Sequence, residues 1–177
     1  MLSNAITHRL FVVPLANNDH GKTTIIRSIV RQGERRAIDV VKRCVRQLAS
    51  PWGRMIDALV IPRSYQETLQ GEFGPIEKAL DSVDEWWRAR DLIIFPSHLD
   101  QEACNEMIRL GQGAGFDVVV VPIILNDDDL PQYRECLQLP WDARWTLHNG
   151  KSDSPDAKLE ALGNDLWAWI AGAIEQR

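Results

Sequence analysis

Leu10-Phe11-Val12-Val13-Pro14-Leu15-Ala16-Asn17-Asn18-Asp19-His20-Gly21-Lys22-Thr23-Thr24 is the stretch that decides the fold. Its first six residues form a continuous apolar run, which reads as a strand covered on both faces. Polar residues and Gly21 follow, and a helix is predicted over Thr23–Val30. A strand that turns through such a loop into a helix aims loop amides and the helix N-terminus at one point, which suits a phosphate group.

Working outward, three more apolar runs read as strands: Ala58–Pro62, Leu92–Pro96 and Val118–Leu125, with a weaker one at Arg144–His148. Helical spacing lies between them. Ile38, Val41, Val45 and Leu48 form one stripe, Ile76, Leu80, Val83 and Trp87 a second, and Ala103, Met107 and Leu110 a third. Leu159, Leu162, Leu166, Trp169, Ile170 and Ala173 mark a last helix. Strands alternating with helices predict right-handed crossovers and a mostly parallel sheet. The expected fold is a three-layer α/β/α domain over residues 1–177 with about five strands. The clusters Ser50-Pro51-Trp52-Gly53 and Gly71–Pro75 read as loops within it. From Asn126 to about Arg144 an irregular connection is expected, and one of that length is often functional.

Bulk properties narrow the class. With 177 residues, 45% hydrophobic and 25% charged, the chain has the composition of one globular domain. No apolar run approaches the ~18 residues a membrane span needs, and Leu10–Ala16 does not read as a signal peptide. Cys44, Cys104 and Cys136 are odd in number and lack metal-site spacing, which speaks against a disulfide scaffold or a zinc site and makes the cytoplasm the expected location. Net charge is −5, yet eight basic residues lie between Arg27 and Arg54, opposed only by Glu34 and Asp39. A basic helix over 34–48 carrying Arg35 and Arg36 either meets an anion (a phosphorylated substrate, nucleic acid or an acidic partner) or is a solvated face.

The phosphate-binding pattern Gly-x-x-x-x-Gly-Lys-Ser/Thr maps onto Ala16, Asn17, Asn18, Asp19, His20, Gly21, Lys22 and Thr23, with Thr24 next. Lys22, expected to face solvent, would place its charge on the β- and γ-phosphates, and the Thr23 hydroxyl would ligate Mg2+. Ala16 replaces the first glycine and tolerates positive φ less well. Ligands of an open parallel sheet bind at the carboxyl ends of its strands. Asp57 and Asp91 precede their strands and belong to the far end. Arg63, Ser64 and Tyr65, then Ser97, His98 and Asp100, then Asn126–Asp129 belong to the near end. Asp100 is either a magnesium ligand or base, or the N-cap of the next helix. His98 is a proton carrier or a polar loop residue. The seven tryptophans suggest core packing more than base stacking, Trp52 being the exception.

On these motifs the chain resembles the P-loop NTPase superfamily. Ile93–Leu99, Gly113–Val120 and Thr146–Gly150 look like the corresponding turns of the small P-loop kinases: nucleoside, nucleotide and polynucleotide kinases and their toxin relatives. The acidic residues usual before the Ser97 position are Phe95 and Pro96 here. This resemblance implies binding of ATP with Mg2+ and phosphoryl transfer to a small-molecule or nucleic-acid hydroxyl. It makes 126–144 a lid that carries Arg134 or Arg144 to the transferred phosphate. Arg63, Arg35 and Arg36 would then hold an anionic acceptor, and Asp100 would serve metal or base. A weaker resemblance joins Asp19–Thr24 and Asn126-Asp127-Asp128-Asp129 to the translational GTPases, implying GTP and a switch role. Asp127 stands where their guanine motif has lysine, so no strong GTP preference is expected. A G domain has an antiparallel hairpin after its first helix, whereas a helix is expected on every crossover here.

Overall fold

The computed structural model describes residues 8–124, 130–150 and 153–175. β1 (Leu10–Leu15) is buried along its whole length because the pleat sends alternate side chains into two cores. Leu10 and Val12 meet Ile25, Ile26, Leu166 and Ile170 on one face. Phe11 and Val13 meet Leu80, Trp87, Met107 and Phe116 on the other. This double coverage is the reason the run is uninterruptedly apolar.

After the loop, α1 (Lys22–Glu34) lies on the first face and ends at Arg35, whose left-handed backbone (φ 54°) stops it. β2 (Cys44–Ala49) and β3 (Met55–Val60) follow as an antiparallel hairpin. α2 (Leu69–Phe73) and α3 (Ile76–Val83) lead through a short 3-10 turn at Trp87–Ala89 to β4 (Leu92–Ile94). α4 (Gln101–Gly113) lies on the second face and feeds β5 (Asp117–Ile124). α5 (Leu130–Leu137), the two-residue strands β6 (Ala143–Arg144) and β7 (Leu147–His148), and α6 (Pro155–Glu175) complete the chain. The sheet order is β2-β3-β4-β1-β5-β6, with β7 also pairing β5. Every pairing but β2 with β3 is parallel. The fold is thus α/β with helices on both faces of a mostly parallel sheet, as expected.

The expected helix over 34–48 is not formed. Its second half is the edge strand β2, and 36–43 is irregular. Ile38, Val41 and Leu48 reach one core while Val45 packs against the other. Three-four spacing arose here from an irregular segment and a strand that contribute to two faces. Ser50-Pro51-Trp52-Gly53 is the hairpin turn, with Gly53 N–H donating to Ser50 O at 3.0 Å. Gly53 takes φ 92° there, a conformation suited to glycine in a short hairpin loop. The connection after α1 is therefore an antiparallel hairpin, not the helical crossover expected from the sequence.

The expected irregular connection is corrected in its described part, where Leu130–Leu137 is helical. α5 buries Tyr133 and Cys136 beside Cys104, and the Tyr133 hydroxyl donates to Ile123 O. Asp142 accepts from Val118 N–H at 2.7 Å, which ties the segment to β5. Residues 126–129, the proposed guanine-motif position, lie outside the described residues. Among the described residues no helix is long and apolar enough to cross a membrane.

Candidate functional site

α1 leaves β1 on one face and α4 leaves the adjacent β4 on the other. The carboxyl ends of β1 and β4 therefore form a topological switch point, where crevices open in such sheets. The Ala16 N–H donates to Ser97 O at 3.2 Å and continues the ladder past the strand ends. Ala16 is fully buried and has no positive φ, so the missing glycine costs nothing there. The bend falls instead on Asp19 (φ 60°) and Gly21 (φ 95°). Asp is among the few side chains that visit this region readily.

Gly21 is the N-cap of α1, which has no side-chain cap and no acidic residue in its first turn. The first amides of a helix have no partner within it, so those of Lys22, Thr23 and Thr24 point outward at the positive end of the helix dipole. They open onto a cleft of about 1230 Å³, lined on this side by Asp19–Thr24, Arg63 and Glu67. The opposite wall is the segment after β7 with the start of α6: Asn149, Gly150, Asp153, Pro155, Asp156 and Leu159. Asn149 binds the two walls together, its amide donating to His20 O at 3.2 Å. A β-carbon on Gly21 would lie 2.6 Å from Leu159 Cδ2, so a larger residue there would displace the Leu159 side chain.

Lys22 does not face solvent as expected; it is 6% exposed. Its ammonium donates to Ala16 O at 2.5 Å and Asn17 O at 2.6 Å, so the loop curls around its own lysine. Burial pushes the Lys22 pKa down to about 8, against the opposing pull of Glu67 and Asp19. Thr23 is exposed, with its hydroxyl 3.4 Å from Pro62 O in the loop after β3.

That loop carries the residue the sequence reading missed. Glu67 lines the cleft and is the leading charge acting on Lys22. Its Oε2 accepts from Ser64 N–H at 3.1 Å, and its Oε1 lies 3.5 Å from His98 Nε2. The available signal was the Ser64-x-x-Glu67 spacing, in which a carboxylate reaches back to an amide three residues earlier. Gln66 joins this loop to the one after β4. It accepts from His98 N–H at 3.1 Å and donates to Ser97 Oγ at 3.1 Å and Asp100 Oδ2 at 3.3 Å.

Of the other expected residues, Asp100 is the N-cap of α4, accepting from Ala103 N–H at 3.1 Å. It lines a separate cavity of about 490 Å³ with Tyr65, Glu102 and Glu106, not the Lys22 cleft. Arg35 and Arg36 stand at the far end of α1, about 20 Å from its N-terminus at 1.5 Å per residue. They cannot share a ligand with Lys22. Arg35 donates to Ser50 O at 3.2 Å, and Arg36 and Arg46 both pair with Glu34. Arg134 is exposed on α5 and does not line the cleft; Arg144 donates to Leu137 O. Asp57 lies inside β3 and pairs with Arg90 at the amino ends of the strands, so the far-end placement was right.

Among the described residues no group of three His, Cys, Asp or Glu could hold a metal by itself. Thr23, Asp19 and Glu67 line one cleft, so a cation there would have few protein ligands and would depend on substrate phosphates or water to complete its shell. No protein-family model matches the chain, and no curated protein matches it in sequence.

Proposed function

We propose that this chain binds a nucleoside triphosphate, ATP or GTP, with Mg2+, and works as a nucleotide-dependent switch or slow NTPase. The observation that carries the reading is the uncapped N-terminus of α1, entered through left-handed Gly21 and holding Lys22 inside its loop, at the switch point of the sheet. Such a terminus binds phosphate oxygens through amides and dipole together. Lys22 would leave the Ala16 and Asn17 carbonyls for the β- and γ-phosphates, and Thr23 would hold the cation. Magnesium, when bound, would supply neutralisation of the phosphate charge beside Thr23 and Lys22. The cleft at about 1230 Å³ is ample for a nucleotide.

Switching is favoured over transfer because the basic platform for an acceptor is not assembled. Arg35 and Arg36 lie at the far end of α1, and Arg31, Arg36, Arg43 and Arg46 are paired with carboxylates. The hairpin after α1 supports the same reading. Phosphoryl transfer stands as the second reading on one observation, the exposed Arg63 in the cleft wall, which suits an anionic acceptor.

Thermal denaturation with ATP, GTP and their magnesium complexes tests the proposal. A ligand at 100 times its Kd stabilises by about 2.7 kcal/mol, which raises Tm by about 5–10 °C in a chain of this size. No shift with either nucleotide at millimolar concentration refutes it.

A further inference from the structure

We infer that Glu67 is the group that holds and deprotonates an attacking water in the cleft, with His98 as its positioning partner, so that the reaction is hydrolysis. This rests on the nucleotide reading above. The carboxylates in the cleft differ in what surrounds them. Asp153 and Asp156 stand on the opposite wall, at the start of α6. Asp19 belongs to the phosphate loop itself. Asp100 is engaged in capping α4 and lines another cavity. Glu67 comes from the loop whose Pro62 carbonyl touches the Thr23 hydroxyl, and it lines the same cleft as Lys22 and Thr23, where the terminal phosphate would lie.

Its geometry is that of a held base. One oxygen is fixed by the Ser64 amide, and the turn closes reciprocally, with Glu67 N–H donating to Ser64 O at 3.0 Å. The other oxygen lies 3.5 Å from His98 Nε2, a buried nitrogen that makes no hydrogen bond among the described residues, and the oxygen's lone pairs are open to a water. His98 is held in turn, its amide donating to Gln66, which is anchored on Ser97 and Asp100. The loops after β3 and β4 are thus bound into one unit that presents Glu67 at a set position.

In the step, the water oxygen attacks the terminal phosphorus and one water proton passes to Glu67 Oε1. The bond from phosphorus to the bridging oxygen breaks, and its electron pair leaves on the nucleoside diphosphate. The proton is then returned to solvent.

Magnesium-nucleotide affinity and single-turnover hydrolysis, measured on the full chain and on Glu67→Gln, His98→Ala and His98→Gln, separate the outcomes. Glu67→Gln is expected to keep Kd within about threefold and to slow turnover about 100-fold or more. His98→Ala is expected to lower kcat about tenfold without raising KM, and His98→Gln, which restores a donor near the Nε2 position, to recover most of it. Glu67→Gln hydrolysing at the wild-type rate overturns the inference while leaving the nucleotide reading intact. So does loss of magnesium-nucleotide affinity in Glu67→Gln, which would make Glu67 a cation ligand, and so does a wild-type chain that binds but does not hydrolyse. A wild-type chain that binds no nucleotide removes the underlying reading instead.

Discussion

Replacing Gly163 by alanine sets two physical effects against each other. Gly163 lies inside α6, where alanine for glycine ordinarily adds about 1 kcal/mol of helix stability. Here α6 crosses α1 so closely that a β-carbon would lie 2.6 Å from Ser28 Cβ and 2.8 Å from Ile25 O. Ile25 O is backbone and cannot rotate away, so the helices must separate. Overpacking of this kind costs about 1–3 kcal/mol. Separation also strains the Ser28 hydroxyl, which sits 2.8 Å from Glu160 O and 2.7 Å from Asn164 Oδ1, and weakening that contact costs about 1 kcal/mol more. Packing therefore outweighs propensity, and the net loss is about 1–3 kcal/mol, or a fall in Tm of about 2–12 °C at 2–4 °C per kcal/mol. Calorimetry or circular-dichroism melting reads this directly. An unchanged or raised Tm would refute the close crossing of α6 over α1 at Gly163.

Other consequences follow from the same geometry. Gly21→Ala combines a left-handed backbone penalty of about 1–2 kcal/mol with a clash on Leu159; Leu159→Ala in the same chain should relieve part of the loss in a denaturant double-mutant cycle. Glu34→Gln leaves Arg46, whose side chain is 10% exposed, without its carboxylate, and about 3 kcal/mol should disappear from the urea-unfolding free energy. Because the Lys22 pKa falls from 10.5 to about 8 on folding, the unfolded chain binds the extra proton between those values. Stability should then rise with pH across that window, and Lys22→Met should flatten the rise in melting curves. Oligonucleotides should not bind the 27–54 segment even at about 50 mM salt, since its arginines are largely paired; salt-sensitive binding there would overturn the pairing.

β1 was legible because both its faces are buried, so its six residues carry an unbroken apolar signal. The turn from β1 through Gly21 into α1 was legible because the strand before and the helix after are local in the chain. β2 was not, because a hairpin edge strand and an irregular segment sent Ile38, Val41 and Leu48 to one core and Val45 to the other, mimicking a helical stripe. Burial of Lys22 was invisible because it depends on the loop curling back so that Ala16 and Asn17 carbonyls meet the ammonium. Glu67 and the wall formed by Asn149, Gly150, Asp153, Pro155, Asp156 and Leu159 are long-range features. One is aimed by a turn after β3, and the other comes from the far end of the chain, where α6 packs on α1. Asp100 was readable in both its roles, and helix capping prevailed because Ala103 N–H lies within reach of its carboxylate.

The claim that most needs testing is that Gly21-Lys22-Thr23 is a nucleotide phosphate cradle. Isothermal titration of the full chain and of Lys22→Ala with magnesium-ATP and magnesium-GTP tests it most directly. A cradle predicts saturable binding by the wild-type chain and an affinity about 100-fold weaker in the variant, close to 2.7 kcal/mol, with the fold retained. Equal affinity in the two chains, or no binding by the wild type, would contradict it.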